Sequence, residues 1–349
     1  MPAGESRFIP FEPGVSGVWI RVVTDAPVLA TVALVYAADD GRGVESAGIF
    51  DGLALISESP DSKGLLCSMG NDSRMMGFAS VRQGECALYE LNGDDMSFVK
   101  VDDEPLLEQI EKRYAINVEG NGISVDEASV LVVDDKERRW RLPLGDERFN
   151  AVCTNGSSRI CREVVTERDI LNCCGTFYEV PAENADGFAK IKPIASHNLN
   201  ITDFCSYRGM LVMSGLTEDA ENNPRVIMSD DRKVGIWAGV VDDLWSLGKP
   251  VGHGGPWMDS KVRAGEFSDP YLLYGYDVRR LCLSHKGYGT VCVKVEVDPV
   301  GDGEWMEYST VPVEEGKTYN ETFPPELSGR WIRFSADRDC IATAWLEYK

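Results

Sequence analysis

The sequence predicts an all-β protein, a β-propeller-like domain of about five blades with a C-terminal antiparallel β-sandwich. Three observations carry that expectation. Short apolar strand-like runs alternate with Gly-, Pro- and Asp-rich turns along most of the chain. From about residue 261 onward seven such runs follow at regular spacing, the pattern of a sandwich. One β-segment also occurs twice, near the N-terminus and again at the C-terminus.

The duplication is exact in spacing. Gly17, Trp19, Ile20 and Arg21 recur as Gly329, Trp331, Ile332 and Arg333. The match runs on through Asp25/Asp337, Ala30/Ala342, Thr31/Thr343, Leu34/Leu346 and Tyr36/Tyr348 without a gap. Each copy reads as two strands with a turn at the shared Asp, and each Trp as a core anchor. The segments should therefore superpose, with Trp19 and Trp331 equally buried. The arm 1–40 holds only the last strands of such a sandwich, so its edge needs covering, by the chain's own C-terminal domain or by a second copy in a homo-oligomer.

Between the copies, residues 41–260 read as serial hairpins. Leu131–Leu142 is one, turning at Asp134-Asp135-Lys136-Glu137, and Val226–Trp237 is another. At ~40–50 residues per blade this length suggests about five blades, and a pair of large sheets would read similarly. One helix is predicted, Glu104–Arg113, with Pro105 in its first turn. The sandwich strands are predicted at Tyr271–Tyr276, Arg280–His285, Thr290–Val297, Trp305–Val311, Thr318–Phe323, Trp331–Ser335 and Ala342–Tyr348, in a domain spanning 261–349.

Charge narrows the partners. The 349 residues include 35 Lys+Arg and 57 Asp+Glu, a formal net charge of −22. Such a field repels phosphate backbones and anionic lipid, which excludes nucleic acid and membrane as expected partners. Residues 1–10 are polar, with no leader-like apolar core, and the apolar run Val28–Ala38 is far short of the ~20 residues a membrane helix needs. A cytoplasmic location is expected, or a secreted one if a native leader has been removed. Ten cysteines occur without a C-x-x-C pair, so no zinc site is predicted, and reduced, buried thiols are expected. Cys173 and Cys174 are adjacent, which strains any bridge between them. No phosphate-binding glycine loop, H-E-x-x-H or G-x-S-x-G occurs, so no cofactor is expected.

The chemistry-bearing candidates lie on two segments. His197 sits in a polar stretch that leads to Tyr207 and Arg208, while His253 sits in Gly252-His253-Gly254-Gly255-Pro256-Trp257, a loop whose glycines would let a ligand approach the backbone, before Asp259. Asp242-Asp243-Leu244-Trp245 lies between them. His197, His253, Tyr207, Asp243 and Asp259 are candidate acids and bases. Arg208, Trp245 and Trp257 are candidate substrate contacts, Arg to hold a carboxylate and Trp to stack on a sugar ring. His285 reads as a solvent-facing turn residue.

The hairpin Val226–Trp237 loosely resembles the Asp-box hairpin of sialidase-like propellers, with a longer Asp-to-Gly spacing. The stretch from Asn198 to Ala264, with Asp203-Phe204-Cys205, Arg208-Gly209, Asp242-Asp243-Leu244-Trp245, Gly248-Lys249-Pro250 and Gly254-Gly255-Pro256-Trp257, resembles uncharacterised bacterial β-propeller and β-sandwich proteins of the glycan-degrading kind. The resemblance implies a saccharide ligand. It makes a glycoside hydrolase or polysaccharide lyase acting in a cleft of propeller loops the leading expectation, beside a non-catalytic glycan-binding or scaffold protein. Loss of either His197 or His253 is then expected to abolish activity without lowering the melting temperature.

Overall fold

The computed structural model describes residues 63–69, 75–82, 85–109, 122–145, 160–161, 169–197, 199, 201–215 and 222–349. All belong to the second of two units, 1–42 and 43–349, into which the chain divides. The first repeat copy with Trp19, and the edge that residues 1–40 were expected to present, lie outside the described residues. The description is mostly β, in five sheets.

The first sheet is a meander of β1 (Lys63–Met69), β2 (Met75–Arg82), β3 (Glu85–Asn92) and β4 (Phe98–Val101). A helix follows at 104–109, where Asp103 caps it by accepting the Leu106 N–H at 2.9 Å. Next come β5 (Ile123–Val125), β6 (Val130–Val133) and β7 (Arg139–Leu142). The second sheet runs in the order β11 (Lys192–Ser196), β10 (Thr176–Val180), β9 (Asp169–Cys173), β8 (Ile160–Cys161). The third is β12 (Ile201–Tyr207), β13 (Met210–Gly215), β15 (Gly235–Gly239), β14 (Val226–Met228). Among the described residues these are three separate four-stranded sheets, and their topology does not confirm a ring of five blades.

The C-terminal strands form two sheets with the predicted period of two. In one, β16 (Gly252–Val262), β23 (Cys340–Tyr348), β18 (Arg279–His285) and β21 (Thr318–Thr322) are ordered as written. Along β23, Ala342, Ala344, Leu346 and Tyr348 are buried while Thr343, Trp345 and Glu347 face outward. The other sheet is seven-stranded, β20 (Met306–Val313), β19 (Val291–Asp298), β22 (Trp331–Ala336), β17 (Tyr271–Leu272), β7, β6, β5. So β5–β7, expected among propeller blades, extend the sandwich instead, and β16 enters it from before residue 261.

Side-chain chemistry explains that junction. Arg139 and Arg141 both donate to Asp269, at 2.9–3.1 Å, just before β17. The Arg141 N–H donates to the Pro270 carbonyl at 2.8 Å, and Tyr271 pairs with Arg141 in parallel. Trp140 then packs on Trp331, ring centroids 4.6 Å apart. Trp331 is wholly buried, and its indole N–H donates to the Ala189 carbonyl at 2.8 Å. A second core forms around Phe177, Phe204, Tyr207 and Trp237. No helix among the described residues is long and apolar enough to cross a membrane.

Candidate functional site

A groove of about 1010 Å³ lies where the second sheet meets the outer face of β16 and β23. Its lining includes Gly145, Gly175, Ser196, His197, Lys249, His253, Trp345 and Glu347. Both predicted histidines therefore line one groove, together with a carboxylate.

The walls are clipped together by hydroxyls. Ser196 Oγ accepts the Val251 N–H at 2.9 Å and donates to the Val251 carbonyl at 3.0 Å, which leaves Thr176 to donate to Ser196 Oγ at 2.9 Å. The main chain of His253 exchanges two hydrogen bonds with Leu144, at 2.8 and 3.0 Å. The glycines after His253 serve this packing. They were expected to form a loop open to ligand, but they lie within β16. A Cβ at Gly254, whose φ is +133°, would sit 2.4 Å from the Ala128 carbonyl oxygen, and one at Gly255 would sit 1.8 Å from that of Ala344. Neighbouring backbone occupies the space a ligand was expected to use.

The two imidazoles differ. His197 Nδ1 accepts the Leu199 N–H at 3.2 Å, which places the ring proton on Nε2, 2.9 Å from Asn172 Oδ1. Its ring also lies 5.1 Å from that of Phe177. Burial pushes its pKa down to about 4, so it is neutral at pH 7. With both nitrogens engaged, His197 holds the wall in place. His253 has no side-chain hydrogen bond among the described residues. It stands 5.8 Å from the Trp345 ring and pairs across the strands with Glu347, so its side chain and that of Glu347 share one face.

The other predicted residues are placed elsewhere. Tyr207 and Arg208 lie at the far end of β12, about 20 Å along the strand from the groove. Tyr207 is buried, and Arg208, at φ +49° in the β12–β13 turn, reaches Asp94 at 3.3 Å. Asp243 is buried, bonded to Arg225, and accepts the Val240 N–H at 2.8 Å, capping the 3-10 helix Val241–Leu247. Asp259 is exposed and paired with Lys286 at 2.8 Å. Trp257 packs in the sandwich core, 6.0 Å from the Phe334 ring, so no sugar can reach its face. Trp245 is 53% exposed but does not line the groove. His285 is buried rather than solvent-facing, with Nε2 donating to the Val313 carbonyl at 2.9 Å and Nδ1 accepting the Gly287 N–H. No cluster of three or more His, Cys, Asp or Glu suited to a metal occurs among the described residues.

Trp345 and Glu347 went unnoticed in the sequence because they sit inside the repeat, between its matched positions. The available signal was the alternation Trp345, Glu347, Lys349 against buried Ala344, Leu346 and Tyr348.

No family model and no curated protein sequence matches the chain. Overlaps with solved structures are weak. An exo-β-1,3-galactanase from Phanerochaete chrysosporium is 9% identical over 87% of this chain and 91% of its own, with a TM-score of 0.18. A family 43 arabinoxylan arabinofuranohydrolase from Bacillus subtilis is 8% identical over 89% and 81%, with a TM-score of 0.20. Similarity at that level does not show a shared fold.

Proposed function

We propose that the groove binds a saccharide and that the chain is a glycan-binding protein. The observation that carries this reading is the outward face of β23, where the half-exposed Trp345 ring stands beside His253 and Glu347 in an open groove. A planar aromatic ring gives a sugar its apolar platform, and flanking carboxylate, imidazole and ammonium groups satisfy hydroxyls. Titration with an oligosaccharide panel, followed by tryptophan fluorescence and calorimetry, tests it. Trp345→Ala is expected to weaken binding at least tenfold with the melting temperature nearly unchanged. Equal affinity in the variant, or no binding across the panel, sinks the proposal.

A second reading is a glycoside hydrolase or lyase. It is supported by the His253–Glu347 pair, which offers a base and an acid on one face. Hydrolysis by the common scheme needs two carboxyls roughly 5–9.5 Å apart, and Glu347 is the one carboxylate among the described groove-lining residues. Binding without turnover on the same panel selects the first reading. Turnover lost in both His253→Ala and Glu347→Gln selects the second.

A further inference from the structure

We propose that Cys173 and Cys174 are a thiol switch, which a hydroperoxide closes into a vicinal disulfide at the wall of the groove. The inference does not depend on the saccharide reading, because it uses only the thiols and the turn that carries them.

The turn is the first observation. Cys173 pairs with Thr176, so Cys174 and Gly175 alone close the β9–β10 hairpin. Their φ values, +48° and +76°, are both left-handed, which defines a primed two-residue turn. Asn, Asp or Gly normally fills its first central position, because a Cβ there is strained. This hairpin places a cysteine there and keeps it 5% exposed, with its sulfur 3.9 Å from that of Cys173.

The second observation is what the turn touches. The Gly175 carbonyl accepts the His197 N–H at 2.7 Å. The Cys174 carbonyl packs so closely on Gly145 that a Cβ there would lie 2.0 Å from its oxygen. Gly145, Gly175 and His197 all line the groove. Neighbouring Cα atoms on a trans peptide are about 3.8 Å apart, below the ~4.4–6.8 Å that ordinary disulfides span. Closing the ring therefore changes the turn, and the change reaches the groove through these two carbonyls. The same strain makes the bond easy to reduce, as a switch requires and a structural staple does not.

The chemistry balances with the peroxide as oxidant. The sulfur of Cys174, the more exposed residue of the two, attacks one peroxide oxygen, giving a sulfenic acid and a molecule of water or alcohol. The Cys173 sulfur then attacks the sulfenic sulfur, the S–S bond forms, and water leaves. Two thiol hydrogens and two electrons have gone to the peroxide, and a dithiol reductant returns them.

The test uses the full chain. After hydrogen peroxide, alkylation and digestion, the peptide carrying residues 173–174 is expected to lose two hydrogens and both alkylation sites by mass spectrometry. A dithiol reductant should restore both. Amide exchange at His197 is expected to change severalfold between the two forms. Cys173→Ser should leave Cys174 unable to form the bond, and if that variant fails to fold the wild-type peptide decides alone. Thiols that both remain alkylatable, conversion to sulfinic or sulfonic acid, a bridge to another cysteine, or unchanged exchange at His197 would each overturn the switch.

Discussion

A buried imidazole whose two nitrogens are both engaged makes folding sensitive to mild acid. His197 is held at a pKa of about 4 against an ordinary 6.5, so the folded state takes up its proton later than the unfolded one. Its contribution is complete above pH 6.5 and is lost as pH falls toward 4, at a cost of up to about 3 kcal/mol. Denaturant titrations at pH 7 and pH 4.5 should show that loss, and His197→Gln should show a shallower one. Hydrogen bonds from Arg141 and backbone donors at Asp126, from Trp140 and Arg138 at Asp134, and from Arg139 and Arg141 at Asp269 outweigh burial and hold these carboxyls below the usual 3.8. Their contributions begin to fall only at about pH 5 and are lost mostly below pH 3.8, so the loss between pH 7 and pH 4.5 comes chiefly from His197. His197→Ala will also lower the melting temperature, contrary to the expectation for a purely catalytic histidine. At the core, Trp331→Ala should cost about 3–5 kcal/mol in denaturant unfolding, since it removes a wholly buried indole and its hydrogen bond to Ala189. Trp331 was legible in the sequence because it repeats. Trp345 and Glu347 were not, since the first copy carries Ala33 and Val35 at those places and the two residues fall outside the repeated pattern.

Strands were easier to read than their partners. All seven strands predicted after residue 261 are present, because alternation and turn residues are local signals. The helix begins where Asp103 and Pro105 put it. Which sheet a strand joins is decided by side chains far along the chain, and there the reading of β5–β7 as a blade departed from the structure. The Asp269 latch on Arg139 and Arg141 is the element-scale test of that junction. Asp269→Asn keeps the shape but removes the charge that two guanidinium groups share, and Arg141 is largely buried. A loss of about 1–3 kcal/mol in urea unfolding is expected, with faster proteolytic cleavage within residues 122–145. An unchanged midpoint and cleavage rate would mean that the Trp140–Trp331 contact holds β7 without the latch.

For the molecule as a whole, a net charge of −22 is a standing repulsion within the folded state. Raising sodium chloride from about 0.02 to 0.5 M should screen it and raise the melting temperature, since the Debye length falls well below the size of the protein. A melting temperature that falls over that range would mean that ion pairs such as Arg333–Glu296 outweigh the repulsion. The seven-stranded sheet also sets a timetable. Arg139 and Asp269 are 130 residues apart, so at ~5–20 residues per second β7 waits roughly 6–26 s on the ribosome before its partner strand is made. Through that interval the apolar face of β5–β7, Trp140 included, lacks Trp331 and the rest of the C-terminal sandwich core, and a nascent chain stalled before residue 269 is the form in which chaperone capture should be strongest.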